Sequence, residues 1–63
     1  MDQIDEIEAR VKRLRLTMAF ACYWAGVPKA TWSRWKAGHS GPTKKNWDAI
    51  TNAVTDLERR LKR

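Results

Sequence analysis

The sequence predicts a small all-α domain of four, at most five, helices that ends in a long C-terminal helix. Apolar residues recur at spacings of three and four rather than two. Turn-forming residues cluster at Gly26-Val27-Pro28 and Gly38-His39-Ser40-Gly41-Pro42, which cuts the chain into pieces of helix length. No segment alternates, repeats or is compositionally biased. The 63 residues are expected to form one domain, 1–63. A chain of this size buries only about 60% of its unfolded surface, so a partner subunit would add stability. Its four tryptophans, each able to bury roughly 150–250 Å², are expected to carry the core.

The first helix is predicted from about Asp2 to Leu14 or Arg15, with Ile4, Ile7, Val11 and Leu14 on one face. Its acids lead (Asp2, Asp5, Glu6) and its bases trail (Arg10, Lys12, Arg13), the order the helix dipole favours. Thr17 is a suitable N-cap for a second helix reaching Ala25, whose inward face is assigned to Ala21, Cys22 and Ala25 beside Leu16. Phe20 and Trp24, four apart, make an adjoining ridge that either extends the core against the first or last helix or meets a partner.

Gly26 is free to adopt positive φ at the end of that helix. Val27 plugs the turn, and Pro28 suits the opening of a third helix, where a missing N–H costs nothing. Trp32 and Trp35, three apart, then face inward, while Lys29, Ala30, Ser33 and Arg34 fall on other faces. The stretch 38–42 is expected to be an exposed loop, and its His39, the only histidine, has no catalytic partner nearby in sequence. Thr43 caps a last helix, about 43–62, carrying Trp47, Ile50, Val54, Leu57 and Leu61 in a heptad-like seam. Leu57 and Leu61 extend past an easily closed core. Either a second chain covers them or they fold back on Ile4, Ile7 and Val11.

The formal net charge is +6, and no carboxylate lies between Glu8 and Asp48. Arg10, Lys12, Arg13, Arg15, Lys29, Arg34, Lys36, Lys44 and Lys45 fall in that window and would attract a polyanion. The lone Cys22 permits no internal disulfide, and no cluster of sulfur or imidazole suggests a metal or other cofactor. A reducing, cytoplasmic setting is expected, since no apolar run approaches the roughly 20 residues that span a bilayer and the acidic start does not read as a signal peptide. No paired carboxylates, activated nucleophile or phosphate-cradling loop points to an enzyme.

The run Ala25–Gly38, AGVPKATWSRWKAG, resembles the helix-turn-helix of the lambda-repressor and Cro family, also called the xenobiotic-response-element family. The likeness covers about Leu14 to Ala53, with the motif at about 17–37. The chain departs from the family's pattern at Met18, where many members carry Gln, at Ala21 and Cys22 (usually Leu and Ala), at Trp32 (usually Ile or Val), and at Phe20 and Trp24 (usually polar).

The resemblance implies that the third helix enters the major groove of duplex DNA, with Lys29, Ala30, Ser33 and Arg34 towards base edges. Backbone phosphates would meet the main-chain N–H groups of Thr17 and Met18 at the start of the second helix, and Thr31, Lys36, Lys44 and Lys45 around it. Arg10, Arg13 and Arg15 are weaker candidates. It further implies a small repressor of bacterial or phage origin, a homodimer on a near-palindromic operator with no small-molecule ligand. Phe20, Trp24, Leu57 and Leu61 are the candidate dimer or partner surface. The alternative is a protein-interaction module, of antirepressor or antitoxin type, that uses the helix-turn-helix as a scaffold.

Overall fold

A computed structural model describes residues 3–61. The order is α1 (Gln3–Arg13), α2 (Met18–Ala25), α3 (Lys29–Ala37) and α4 (Lys44–Leu61), with no strand among the described residues. The expected helix ends at Asp2 and Lys62 lie outside them. No described helix is long and apolar enough to cross a membrane.

Each boundary has a local cause. α1 places Asp5 and Glu6 in its first turn and Arg10, Lys12 and Arg13 in its last. It stops at Arg13, one or two residues before the sequence suggests, because Arg15 takes a left-handed conformation at φ 61°. That twist lets the Leu16 N–H reach back to the Val11 carbonyl at 3.3 Å. Thr17 is extended and its Oγ1 accepts from the Phe20 N–H at 3.1 Å, capping α2.

α2 and α3 end alike. Gly26 (φ 75°) donates to the Tyr23 carbonyl while Val27 donates to that of Cys22, and Gly38 (φ 79°) with His39 repeats the pattern on Trp35 and Arg34. These are paired C-terminal caps that satisfy carbonyls the helix leaves open. Pro28 stands at the N-cap of α3 rather than inside its first turn, and its carbonyl accepts from the Thr31 N–H at 3.0 Å. Thr43 caps α4 through its Oγ1 to the Asn46 N–H at 3.3 Å.

The core gathers Ile4, Ile7 and Val11 of α1, Met18, Ala21 and Cys22 of α2, Val27 of the turn, Trp32 and Trp35 of α3, and Ile50 and Val54 of α4. Leu16, Ala25 and Trp47 are packed against it. The Trp32 and Trp35 rings lie 5.7 Å apart and Trp35 and Trp47 6.2 Å, tilted as aromatic pairs prefer. The Trp32 Nε1–H is buried with no acceptor among the described residues, a desolvation cost of about 1–3 kcal/mol.

Two expectations about the core are corrected. Trp24 does not share in it: this indole and Phe20 remain exposed, so three tryptophans, not four, are wholly or partly buried. Leu57 is 3% exposed and needs no second chain. Its neighbour Glu58 takes a two-pronged contact from Arg10, at 2.5 and 3.0 Å, which lays α1 along α4 as far as that turn. That partner raises the Arg10 pKa above its ordinary value, against the opposing effect of burial. Leu61, one turn further on, is half exposed.

Candidate nucleic-acid interface

Trp32 and Trp35 set the orientation of α3. With both indoles buried, the helical repeat turns Lys29, Ala30, Ser33, Arg34, Lys36 and Ala37 outward, and all six are exposed. The face has an internal order. Ala30, Ser33 and Ala37 form its centre, Arg34 stands on one flank, and Lys29 and Lys36 stand on the other. A small-residue centre lets the helix backbone approach a surface closely while the flanking cations reach past it.

The two flanks differ in freedom. The Arg34 side chain makes no hydrogen bond or ion pair among the described residues. Lys29 leans towards Ser33, with Nζ to Oγ at 3.4 Å, a weak contact. Lys36 is committed elsewhere: its ammonium lies 3.2 Å from Asp5 and 2.9 Å from Glu8 of α1. Those carboxylates, Glu8 first, raise its pKa above the ordinary lysine value. An open cleft of about 420 Å³ between α1 and α3 is lined by Glu8, Lys29, Trp32, Ser33, Lys36 and Ala37.

The expected phosphate contacts are therefore redistributed. Lys36 leaves the set, because two carboxylates already compensate its charge. The cations of the central window are less unopposed than the sequence suggests, since folding brings Asp5 and Glu8 to Lys36 and Glu58 to Arg10, and Asp48 pairs with Lys44 along α4. Lys44 pairs with Asp48 at 2.8 Å, but in an exposed i,i+4 contact of the kind that contributes little and is screened by salt. Lys45 is exposed beside it. Thr31 is half-buried and Met18 buried, so Met18 can serve only through its backbone, as the sequence reading proposes.

The helix starts add to the pattern. α1 alone carries acids in its first turn; α2, α3 and α4 carry none. Lys44 and Lys45 even sit at the positive end of the α4 dipole, the unfavourable arrangement, and so leave that end open to an anion. At α2, the Thr17 side chain and carbonyl occupy the Phe20 and Ala21 N–H groups, while those of Met18 and Ala19 remain for a ligand.

Sequence reasoning missed Tyr23, which at 83% exposed is the most exposed large apolar side chain described. It also missed Ala37 as a member of the outward face of α3. Cys22 is buried, and burial pushes its thiol pKa up, which makes it unreactive. The chain matches no family model, no curated protein and no solved structure.

Proposed function

We propose that the chain is a sequence-specific binder of double-stranded DNA, a small transcription regulator that represses by occupying a promoter. The observation that carries this reading is the outward face of α3, which has the exposed Lys29 and Arg34 at its edges, small residues at its centre and two buried indoles behind it. The resemblance of residues 25–38 to a helix-turn-helix supports the same reading.

In this arrangement α3 lies in the major groove. Arg34 donates two parallel hydrogen bonds to guanine O6 and N7, which is worth roughly 1–3 kcal/mol of discrimination. Ala30 and Ala37 lie against thymine methyl groups. Lys29 and Ser33 read from the opposite flank, where Lys29 can also settle on phosphate. Thr17, the Met18 and Ala19 N–H groups, Lys44 and Lys45 hold the backbone and set register. Two copies would read a near-palindrome with half-sites about 34 Å apart.

Selection of bound sites from a random duplex pool, followed by salt titration on selected and random DNA, tests the proposal. The expected result is a recovered motif containing guanine, with a gap of about 4 kcal/mol or more between specific and random binding. A second reading, in which the fold is a scaffold for protein contact, is favoured by the uncovered aromatic side of α2. Equal affinity for selected and random duplex would replace the first reading with the second.

A further inference from the structure

The two flanks of α3 carry unequal charge. Arg34 stands on one of them with no carboxylate bonded to its side chain. On the other, the Lys36 ammonium lies 2.9 Å from Glu8 and 3.2 Å from Asp5 of α1, two acids on one base. Counting Lys29 as well, that flank holds two charges of each sign and sums to zero.

This clamp contributes little to the fold. Lys36 and Asp5 are exposed and Glu8 is half-buried, and ion pairs in such settings add little to stability. Ile4, Ile7 and Val11 already bury α1 in the core. One carboxylate would be enough to pair Lys36; the second leaves the three-residue cluster with a surplus of negative charge.

Position gives the two acids their effect. Three residues apart, they share one side of α1. Glu8 lines the open cleft of about 420 Å³ together with Lys29, Ser33, Lys36 and Ala37, so a carboxylate borders the outward face of α3. A phosphate strand that comes to this edge meets acid, and the ammonium beside it is held by two negative groups where a backbone phosphate offers one charge.

We propose, on the DNA reading given above, that Asp5 and Glu8 set specificity by positioning Lys36: they keep a cation of α3 off the phosphate backbone and so hold down binding to duplex of every sequence. A lysine is a point charge on a flexible stem and finds a phosphate in any register, whereas the Arg34 fork gains most where guanine is present. On random duplex the chain settles wherever its cations fit best, while on a selected site the base contacts fix the register. A freed Lys36 therefore gains more from random DNA than from the selected site, and the gap between them narrows. In a chain of net charge +6, whose attraction to a polyanion does not depend on sequence, discrimination requires that this background be limited.

Lys36→Gln, made in the parent and in an Asp5→Asn, Glu8→Gln background, tests the proposal, with affinity for random duplex followed across a salt series. The change in net charge is the same in both backgrounds, so the comparison cancels it. In the parent, Lys36→Gln should leave the slope of log affinity against log salt unchanged. In the freed background it should reduce that slope by about 0.9, one phosphate contact, and cost roughly threefold more affinity at low salt. Without DNA, freeing Lys36 should bring its ammonium titration, followed by NMR, down from the raised value its partners give it towards that of an ordinary lysine. Helicity and melting temperature should stay as in the parent, and Glu8→Gln alone is the milder second variant. Equal effects of Lys36→Gln in the two backgrounds, a Lys36 titration that does not move, or a gap between selected and random duplex as wide in the freed background as in the parent overturns the proposal. A parent that shows no such gap is a separate result, which strikes the base reading and leaves the Lys36 comparison on random duplex readable.

Discussion

α2 and α3 have eight and nine residues, end on glycines at φ 75° and 79°, and close with the same pair of backbone hydrogen bonds. Each turns its buried residues to the same core. Their outward sides differ in chemistry: α3 shows Lys29, Ala30, Ser33, Arg34, Lys36 and Ala37, and α2 shows Ala19, Phe20, Tyr23 and Trp24. The inward residues and the caps are enough to specify the motif, so the outward chemistry is free to differ. One helix then suits a polyanion and the other an apolar surface.

The comparison is tested most severely by the same substitution in both helices. Trp32→Ala removes an indole that is 1% exposed and should cost about 3–5 kcal/mol, enough to unfold so small a domain at ambient temperature. Trp24→Ala, at 43% exposed, should cost less than about 1 kcal/mol. Thermal denaturation followed by circular dichroism measures both, and equal losses would mean that the α2 ridge belongs to the core. Next in size is Arg34→Ala, expected to lower affinity for a selected site by about 1–3 kcal/mol with a much smaller effect on random duplex. Equal loss on the two DNAs would reduce Arg34 to a phosphate contact.

Much of the framework is legible in the sequence because its signals are local. Thr17 and Thr43 cap helices three residues ahead, and Gly26 and Gly38 mark ends that need positive φ. The spacing of Trp32 and Trp35 fixes the reverse of the candidate reading face. What is not legible depends on distance or on the absence of contrast. Lys36 meets carboxylates 28 and 31 residues away, and Leu57 is buried by packing that the spacing along its own helix does not reveal. α2 is apolar on every side, so its periodicity gives no inward direction. That is why Phe20 and Trp24 read either as core extension or as a partner surface, and Tyr23 passes unnoticed.

Arg15 offers a finer contrast with the two glycines, since all three hold left-handed backbone near a helix end. The conformation costs a residue with a Cβ about 1–2 kcal/mol, and glycine returns part of that as lost chain entropy. Arg15→Gly is therefore expected to stabilise the fold by about 0.5–1 kcal/mol, a rise of a few degrees in melting temperature. Weaker binding to specific and random duplex alike, alongside that rise, would show that the strained residue is kept for a phosphate contact. An unchanged or lower melting temperature would mean that the Arg15 side chain stabilises the turn by more than the strain costs.

The smallest effect separates the two helices by pH. Asp56, which holds the Arg60 guanidinium that stands over Trp24, has its carboxyl pKa depressed by that Arg60 hydrogen bond. Its contribution is complete above the ordinary carboxylate value and is lost as pH falls through the depressed one. Lys36, which ties α3 to α1, has a raised pKa, so its contribution is complete below the ordinary lysine value and is lost as pH climbs through the raised one. Both groups are solvent-exposed, and global stability should barely move at either limit. The readouts are local. Acid should change the part of the tryptophan emission that Trp24→Phe removes, and Asp56→Asn should abolish that pH dependence. A response to acid that survives Asp56→Asn would place the titrating group elsewhere and leave the aromatic ridge without its anchor.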